Sequence, residues 1–488
     1  MAKIDIMNLT FCYDGSYDNV FENISFRLDT DWRLGLTGRN GRGKTTLFQL
    51  MIGKYEYSGS IISSETFDYF PFQVPDMSLD TIDVVRQATS DFELWELNRE
   101  LSMLELSEDI LYRPFHTLSN GERTKALLGA LFLKENHFLL IDEPTNHLDQ
   151  RGRQTVSEYL KSKKGFFLVS HDRAFLDHCV DHIVAINREG IDVQKGNFSS
   201  WWEQRELKEQ FEYAENERLK KDIKRLDEAA KRSAAWSDKV EATKIGTHAY
   251  DRGAIGHKAA KMMKRSKATE ARQLKAVDDK SSLLKNIEYA NDLLIKPAVY
   301  HAETLITIED LAIAYDDRRV CENVSFTVKR GERIVLQGKN GSGKTSILKL
   351  LIGEQIVYTG LLQIGSNLKI SYLSQDTSFL TGDLRSFARK HDVDESLLKA
   401  VLRQLDFARS QFDKNMEDFS EGQKKKVLIA KSLCDRAHLY IWDEPLNFID
   451  VFSRMQIESL LIAYQPTMIF VEHDAVFSKT IATKDILL

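Results

Sequence analysis

Two runs of the chain, Gly38-Arg39-Asn40-Gly41-Arg42-Gly43-Lys44-Thr45 and Gly338-Lys339-Asn340-Gly341-Ser342-Gly343-Lys344-Thr345, contain the residue types needed to hold a polyphosphate. Glycine frees backbone N–H groups to face phosphate oxygens, the lysine reaches the β- and γ-phosphates, and the threonine hydroxyl suits Mg²⁺. Thr46 and Ser346 add a second hydroxyl after each run. The two lysines lie 344 − 44 = 300 positions apart, and other polar residues recur at nearly the same offset: Tyr13 and Tyr315, Gln73 and Gln375, Ser119 and Ser420, Asp142 and Asp443, His171 and His473. A repeat of this kind implies a duplicated α/β nucleotide-binding module, with ATP and Mg²⁺ as its ligands.

Each copy also delivers paired acids at the end of an apolar run, Phe138-Leu139-Leu140-Ile141-Asp142-Glu143 and Tyr440-Ile441-Trp442-Asp443-Glu444. A buried strand places such carboxylates at its tip. The first acid is suited to Mg²⁺ together with Thr45 or Thr345, and the second to orienting a water against the γ-phosphate. Ser119-Asn120-Gly121-Glu122 and Ser420-Glu421-Gly422-Gln423 open helices whose N–H groups could face an anion, although each also reads as an ordinary N-cap.

The elements that must position these residues follow from pattern. Trp32 to Thr37 reads as a strand feeding the first glycine loop, and Thr45 to Ile52 as the helix after it. Short apolar runs alternate with helical ones over 1–199 and again over 301–488, giving two ATPase domains. Residues 200–300 differ: they are charged and mostly apolar at three- and four-residue steps, as at Leu207, Phe211, Leu219 and Ile223. We expect a hairpin of two antiparallel helices, each of roughly 40 residues and on the order of 60 Å, connected near Gly246, Gly253 and Gly256.

At 488 residues the chain has room for three domains. Its net charge of −6 argues against a nucleic-acid partner, but 231–267 holds ten Lys/Arg against three Asp/Glu, a local +7. Any RNA contact is therefore expected there, at Lys244, Tyr250, Arg252, Lys258, Lys261, Lys264, Arg265 and Lys267, unless this is only a solvated helix end. Cys12, Cys179, Cys321 and Cys434 are scattered singly, consistent with reduced thiols in a cytoplasmic chain and with no zinc or iron–sulfur site. No targeting run precedes the first strand, no stretch is long and apolar enough to span a membrane, and the chain stops 15 residues after His473.

Taken together, these motifs resemble the ATP-binding-cassette ATPases, in the order aromatic A-loop, Walker A, Q-loop, signature, Walker B, D-loop and switch histidine. The resemblance implies that two cassettes close face to face within one chain, each ATP held between one Walker A motif and the opposite signature. It implies adenine stacking for Tyr13 and Tyr315, where a strand-edge aromatic is the competing reading, and sensing of Mg²⁺ or water by Gln73 and Gln375. It also implies γ-phosphate contact for His171 and His473 and catalysis by Glu143 and Glu444. The copies differ at the D-loop, Thr145-Asn146-His147 against Leu446-Asn447-Phe448, and Glu472 replaces Ser170, so the two sites are expected to hydrolyse ATP unequally.

Twin cassettes joined by a charged helical linker look like the ABC-F ATPases, and three segments are similar to antibiotic-resistance proteins of the Lsa type: Trp442 to Asn447, Gly253 to Gly256, and Met263 to Lys267. That resemblance implies binding to the exit site of the 70S ribosome, with the linker tip running along P-site tRNA toward 23S rRNA at the peptidyl-transferase centre. Lincosamides, pleuromutilins and streptogramin A would be displaced. No membrane or DNA partner is implied. A housekeeping translation factor, a transporter's energising subunit and a chromosome-maintenance ATPase are the alternatives.

Overall fold

The computed structural model describes residues 2–14, 19–89, 92–146, 148–187, 190–242, 294–315, 318–339 and 341–488. Two compact units result, one formed by Met1–Trp201 with Asn291–Leu488, the other by Trp202–Ala290.

In the first unit each copy of the repeat builds the same two-sheet body. The central sheet of the first copy runs Thr66–Phe70, His137–Asp142, Phe166–Val169, Arg33–Thr37, His182–Ile186 and Ile191–Lys195 in spatial order, parallel except at the last strand. The second copy orders Ile370–Leu373, Leu439–Asp443, Met468–Val471, Arg333–Gln337 and Lys484–Leu487, all parallel. Strands covered on both faces must be apolar along their length rather than alternating. Phe138–Ile141 and Leu439–Trp442 satisfy this, every residue being buried.

Each body adds a three-stranded antiparallel sheet, Phe21–Asp29, Lys3–Phe11 and Ser58–Ser63 in one, Arg318–Lys329, Thr304–Tyr315 and Tyr358–Ile364 in the other. Between the sheets lie the helices Lys44–Met51 and Lys344–Leu351, and their apolar faces close one core in each body. In both copies the strand before the phosphate loop ends where expected, and Gly43 and Gly343 start the helix with φ of 88° and 91°. Backbone in the left-handed region favours glycine. A Cβ at Gly43 would also come within 2.6 Å of Val20.

The second unit's described part belongs to a single helix, Phe198–Ala242, whose 45 residues span about 68 Å. Leu207 and Phe211, expected on an apolar seam, stand 66 % and 69 % exposed, so the seam does not take in its first two members. Their periodicity was real, but a helix this charged leaves that turn to solvent. The remainder of the expected hairpin, including Gly246, Gly253, Gly256 and the contact residues Lys244, Tyr250, Arg252, Lys258, Lys261, Lys264, Arg265 and Lys267, lies outside the described residues. No described helix is long and apolar enough to cross a membrane.

Candidate active sites

The loop lysines fold back onto their own loops. Lys44 Nζ donates to the carbonyls of Gly38 at 2.8 Å and Arg39 at 3.3 Å, and Lys344 Nζ to those of Gly338 and Lys339, both at 2.8 Å. Burial holds both ammonium groups below their ordinary pKa, against the pull of acids around them. Each is therefore a desolvated cation beside a ring of backbone N–H groups, the electrostatic form of a phosphate site.

Thr45 Oγ1 donates to Asp142 Oδ2 at 2.8 Å, and burial raises the Asp142 pKa. In the second copy neither buried carboxylate oxygen of Asp443 has an aligned hydrogen bond; burial, opposed by the nearby Thr345 hydroxyl and reinforced by Glu444, pushes this acid up to about 6. A buried unpaired carboxylate is costly. An oxygen-seeking divalent cation is the chemistry that relieves it, so the donor set fits Mg²⁺.

The acids that follow are Glu143 and Glu444, and both adopt left-handed backbone, φ 50° and 46°. Non-glycine residues held there cost about 1–3 kcal/mol each. The strain is shared by both copies and fixed by paired backbone bonds, Glu143 N–H to Val169 O at 2.9 Å and Glu444 N–H to Val471 O at 3.0 Å. It aims each carboxylate at the switch histidine: Glu143 Oε1 lies 3.2 Å from His171 Nε2, Glu444 Oε1 3.4 Å from His473 Nε2.

The two carboxylates then diverge. Both oxygens of Glu143 are buried without an aligned hydrogen bond, whereas Glu444 Oε2 accepts from Gln375 Nε2 at 2.7 Å and Asn447 Nδ2 at 2.6 Å. Burial, with Asp142 beside it, drives Glu143 up to about 8. Burial also acts on Glu444, but His473, Lys425 and Asn447 outweigh it and bring this acid below its ordinary value. The side chains are similarly exposed, 17 % and 14 %, and the partners around Glu444 set the direction of its shift.

Tyr13 OH lies 2.8 Å from Thr46 Oγ1 and Tyr315 OH 3.1 Å from Ser346 Oγ, which holds each half-exposed ring over the start of its phosphate-loop helix. Gln375 reaches Glu444, but Gln73 stands exposed, and in the first copy the phenol of Tyr69 donates to Asp142 Oδ2 at 3.0 Å. Sequence reasoning missed Tyr69; a tyrosine near the end of the strand before each glutamine, Tyr69 and Tyr372, was the available signal. It also missed Lys425, buried and donating to Ser374 O at 2.8 Å. The serines Ser119 and Ser420 both form capping boxes, with Glu122 and Gln423, so the N-cap reading holds for their hydroxyls.

The second D-loop meets the first phosphate loop. Asn40 of the first phosphate loop donates through Nδ2 to Phe448 O at 2.9 Å, and Phe448 itself is left-handed, φ 63°. Gly422 packs in the same corner: a Cβ there would meet Phe448 O at 2.5 Å and Asn40 Nδ2 at 2.9 Å. Arg39 pairs with Asp406 at 3.5 Å. The first Walker A motif thus faces the second signature within one chain. For the reverse pairing, Asn340 and His147 lie outside the described residues, and Asp149 is among the acids acting on Lys344.

A family model described as "ABC transporter" matches residues 21–146 and 321–447. The Bacillus subtilis ribosome protection protein VmlR is 27 % identical over 482 residues, covering 97 % of this chain and 85 % of that one. The ATP-binding protein Uup of Buchnera aphidicola is 26 % identical over 509 residues, covering 99 % and 80 %. Among solved structures, the archaeal ribosome recycling factor aABCE1, crystallised with stalk protein aP1, superposes with a TM-score of 0.64 at 20 % identity over 98 % of this chain and 87 % of that one.

Proposed function

Because the chain belongs to the ABC transporter family, whose cassettes bind and hydrolyse ATP, we propose that it is an ABC-F ribosome protection ATPase. Likeness to VmlR over 97 % of the chain, linker included, carries this reading, and the likeness to Uup supports the ABC-F branch. The partner is the 70S ribosome, bound at the exit site. The linker, whose segment 231–267 has a net charge of +7, lies along P-site tRNA and 23S rRNA, where Lys and Arg neutralise backbone phosphate. Its tip dislodges lincosamides, pleuromutilins and streptogramin A from the peptidyl-transferase centre.

The residues divide the chemistry. Lys44 and Lys344 neutralise the β- and γ-phosphates inside their glycine loops, and Tyr13 and Tyr315 cover adenine. Thr45 with Asp142, and Thr345 with Asp443, would hold Mg²⁺, which when bound offsets charge on the transferring phosphoryl group. Glu143 and Glu444 orient the attacking water and accept its proton, while His171 and His473 hold the γ-phosphate end of the same line. Binding ATP draws the second signature onto the first Walker A motif; hydrolysis loosens that contact and releases the protein from the ribosome.

Sedimentation tests the reading. The Glu143→Gln, Glu444→Gln double variant should co-sediment with ribosomes in ATP far better than wild type, and expression of the wild-type chain should raise the inhibitory concentration of a lincosamide in a sensitive bacterium. Ribosome trapping without drug protection would make it a translation factor, and neither outcome would remove the ribosome from its function.

A further inference from the structure

Glu472 stands before the second switch histidine, where the first copy has Ser170 (472 − 170 = 302). Its side chain is buried, and its two oxygens go in different directions. Oε1 accepts from the backbone N–H of His473 at 2.9 Å and of Asp474 at 3.4 Å, both in the second site's switch loop. Oε2 accepts from the backbone N–H of Leu446 at 3.2 Å, the start of the second D-loop. Two residues on, that loop gives its Phe448 carbonyl to Asn40, and its Asp450 is among the acids acting on Lys44.

One carboxylate therefore ties the switch loop of the second ATP site to the loop that completes the first. In the first copy the equivalent positions are Thr145 and Ser170, whose hydroxyls lie 3.3 Å apart, and Ser170 Oγ also accepts from the Asp172 N–H at 3.2 Å. The two changes meet in one contact: Leu446 is fully buried, so its backbone N–H needs an acceptor, and the longer side chain of Glu472 supplies it. The charge is balanced locally by Arg454, which also donates to Leu446 O at 2.8 Å, and by Arg153 from the first copy, against the like charge of Asp474.

We propose that Glu472 is a positioning residue for the first ATP site, although it neighbours the histidine of the second, and that it makes turnover at the first site depend on the second switch loop. Three N–H donors on one rigid carboxylate move together. Displacing His473 therefore displaces Leu446 and, through Phe448, the contact on Asn40.

The test reads the sites separately, with Glu444→Gln leaving the first site active, Glu143→Gln leaving the second, and the double variant as baseline. In the first background Glu472→Gln, which sets an amide against N–H donors, should lower kcat for ATP roughly tenfold, about the loss of one hydrogen bond to a charged acceptor. In the second background the loss should stay under about threefold by the same reasoning. Leu446→Thr with Glu472→Ser, which installs the first copy's pair, should restore first-site kcat while Glu472→Ser alone does not. That rescue also carries the test if Glu472→Gln melts early. A loss confined to the second-site background, an equal loss in both, or no rescue at an unchanged Tm would overturn the proposal. Ribosomes are absent from this assay, so its outcome is independent of the partner assignment.

Discussion

Arg173 of the first cassette donates through Nη2 to Oε1 of Glu458 in the second at 2.5 Å, with both side chains close to a tenth exposed. The duplication supplies no matching pair, because the equivalent positions are Ala475 (475 − 173 = 302) and Ser157 (458 − 157 = 301). Removing one partner of a buried ion pair leaves a charge without compensation, which costs about 3–5 kcal/mol. Arg173→Ala should therefore lower the stability of the joined cassettes by about 3 kcal/mol in urea unfolding. Glu458→Gln should do the same, and the two losses should not add. Additive losses in the double-mutant cycle would mean that the pair makes no net interaction.

Glu143 and Glu444 should give opposite pH signatures without nucleotide. Glu143 holds its proton more tightly in the fold, up to about 8, so the stability it contributes is full below the ordinary carboxylate range and is lost as pH rises toward 8. Glu143→Gln removes that loss, and its Tm relative to wild type should climb between pH 5 and pH 8, by an upper bound of about 5 kcal/mol in stability. Glu444 sits below its ordinary value, so its contribution is present above that range, and Glu444→Gln should melt below wild type at neutral pH. Thermal melts at the two pH values check both, and parallel curves for the two variants would refute the difference in environment.

Unequal partners also predict unequal turnover. Glu143 has two buried oxygens without aligned donors and, once ionised, can take a water directly, while Glu444 is held by Gln375 and Asn447. Glu143→Gln should remove the larger share of steady-state ATP hydrolysis. Gln375→Ala should change only the share that survives Glu143→Gln. Phosphate release measured for each single variant decides this, and matching losses would mean that Gln375 and Asn447 yield to water at no cost.

The phosphate loops and the acid-tipped strands were legible because each is local: a few adjacent residues fix both backbone path and chemistry, and the strand Arg33–Thr37 and helix Lys44–Met51 form within a residue of where they are read. What depends on partners distant in sequence was not. Glu472 alternates with His473 along the chain, which argued only that their side chains diverge; its carboxylate reaches Leu446, 26 residues away, and the backbone rather than the imidazole of its neighbour. Tyr69, which no motif singles out, reaches Asp142, whereas Gln73, for which the resemblance implied sensing of Mg²⁺ or water, stands exposed. In the sequence Leu446 and Glu472 are departures from the first copy at two separate motifs, and only the fold brings them into one contact.

Tyr13 tests the nucleotide pocket itself. Its ring stands edge-on to Phe11 and Tyr55, with centroids 5.0 and 5.6 Å away, and is 40 % exposed, so a face remains for a flat partner. The hydroxyl on Thr46 sets where that face points. Stacking of a base on an aromatic ring is worth about 1–3 kcal/mol, so Tyr13→Ala should raise the KM for ATP at the first site roughly 5- to 150-fold, read in the Glu444→Gln background. Tyr13→Phe keeps the ring and loses only a partly exposed hydrogen bond, so its KM should stay within about threefold of wild type. If adenine stacks there, ATP and GTP should suffer alike from Tyr13→Ala, because every base has a π-face. An unchanged KM with a lowered Tm would instead make Tyr13 a strand-edge packing residue, the reading that its contacts with Phe11 and Tyr55 would then explain.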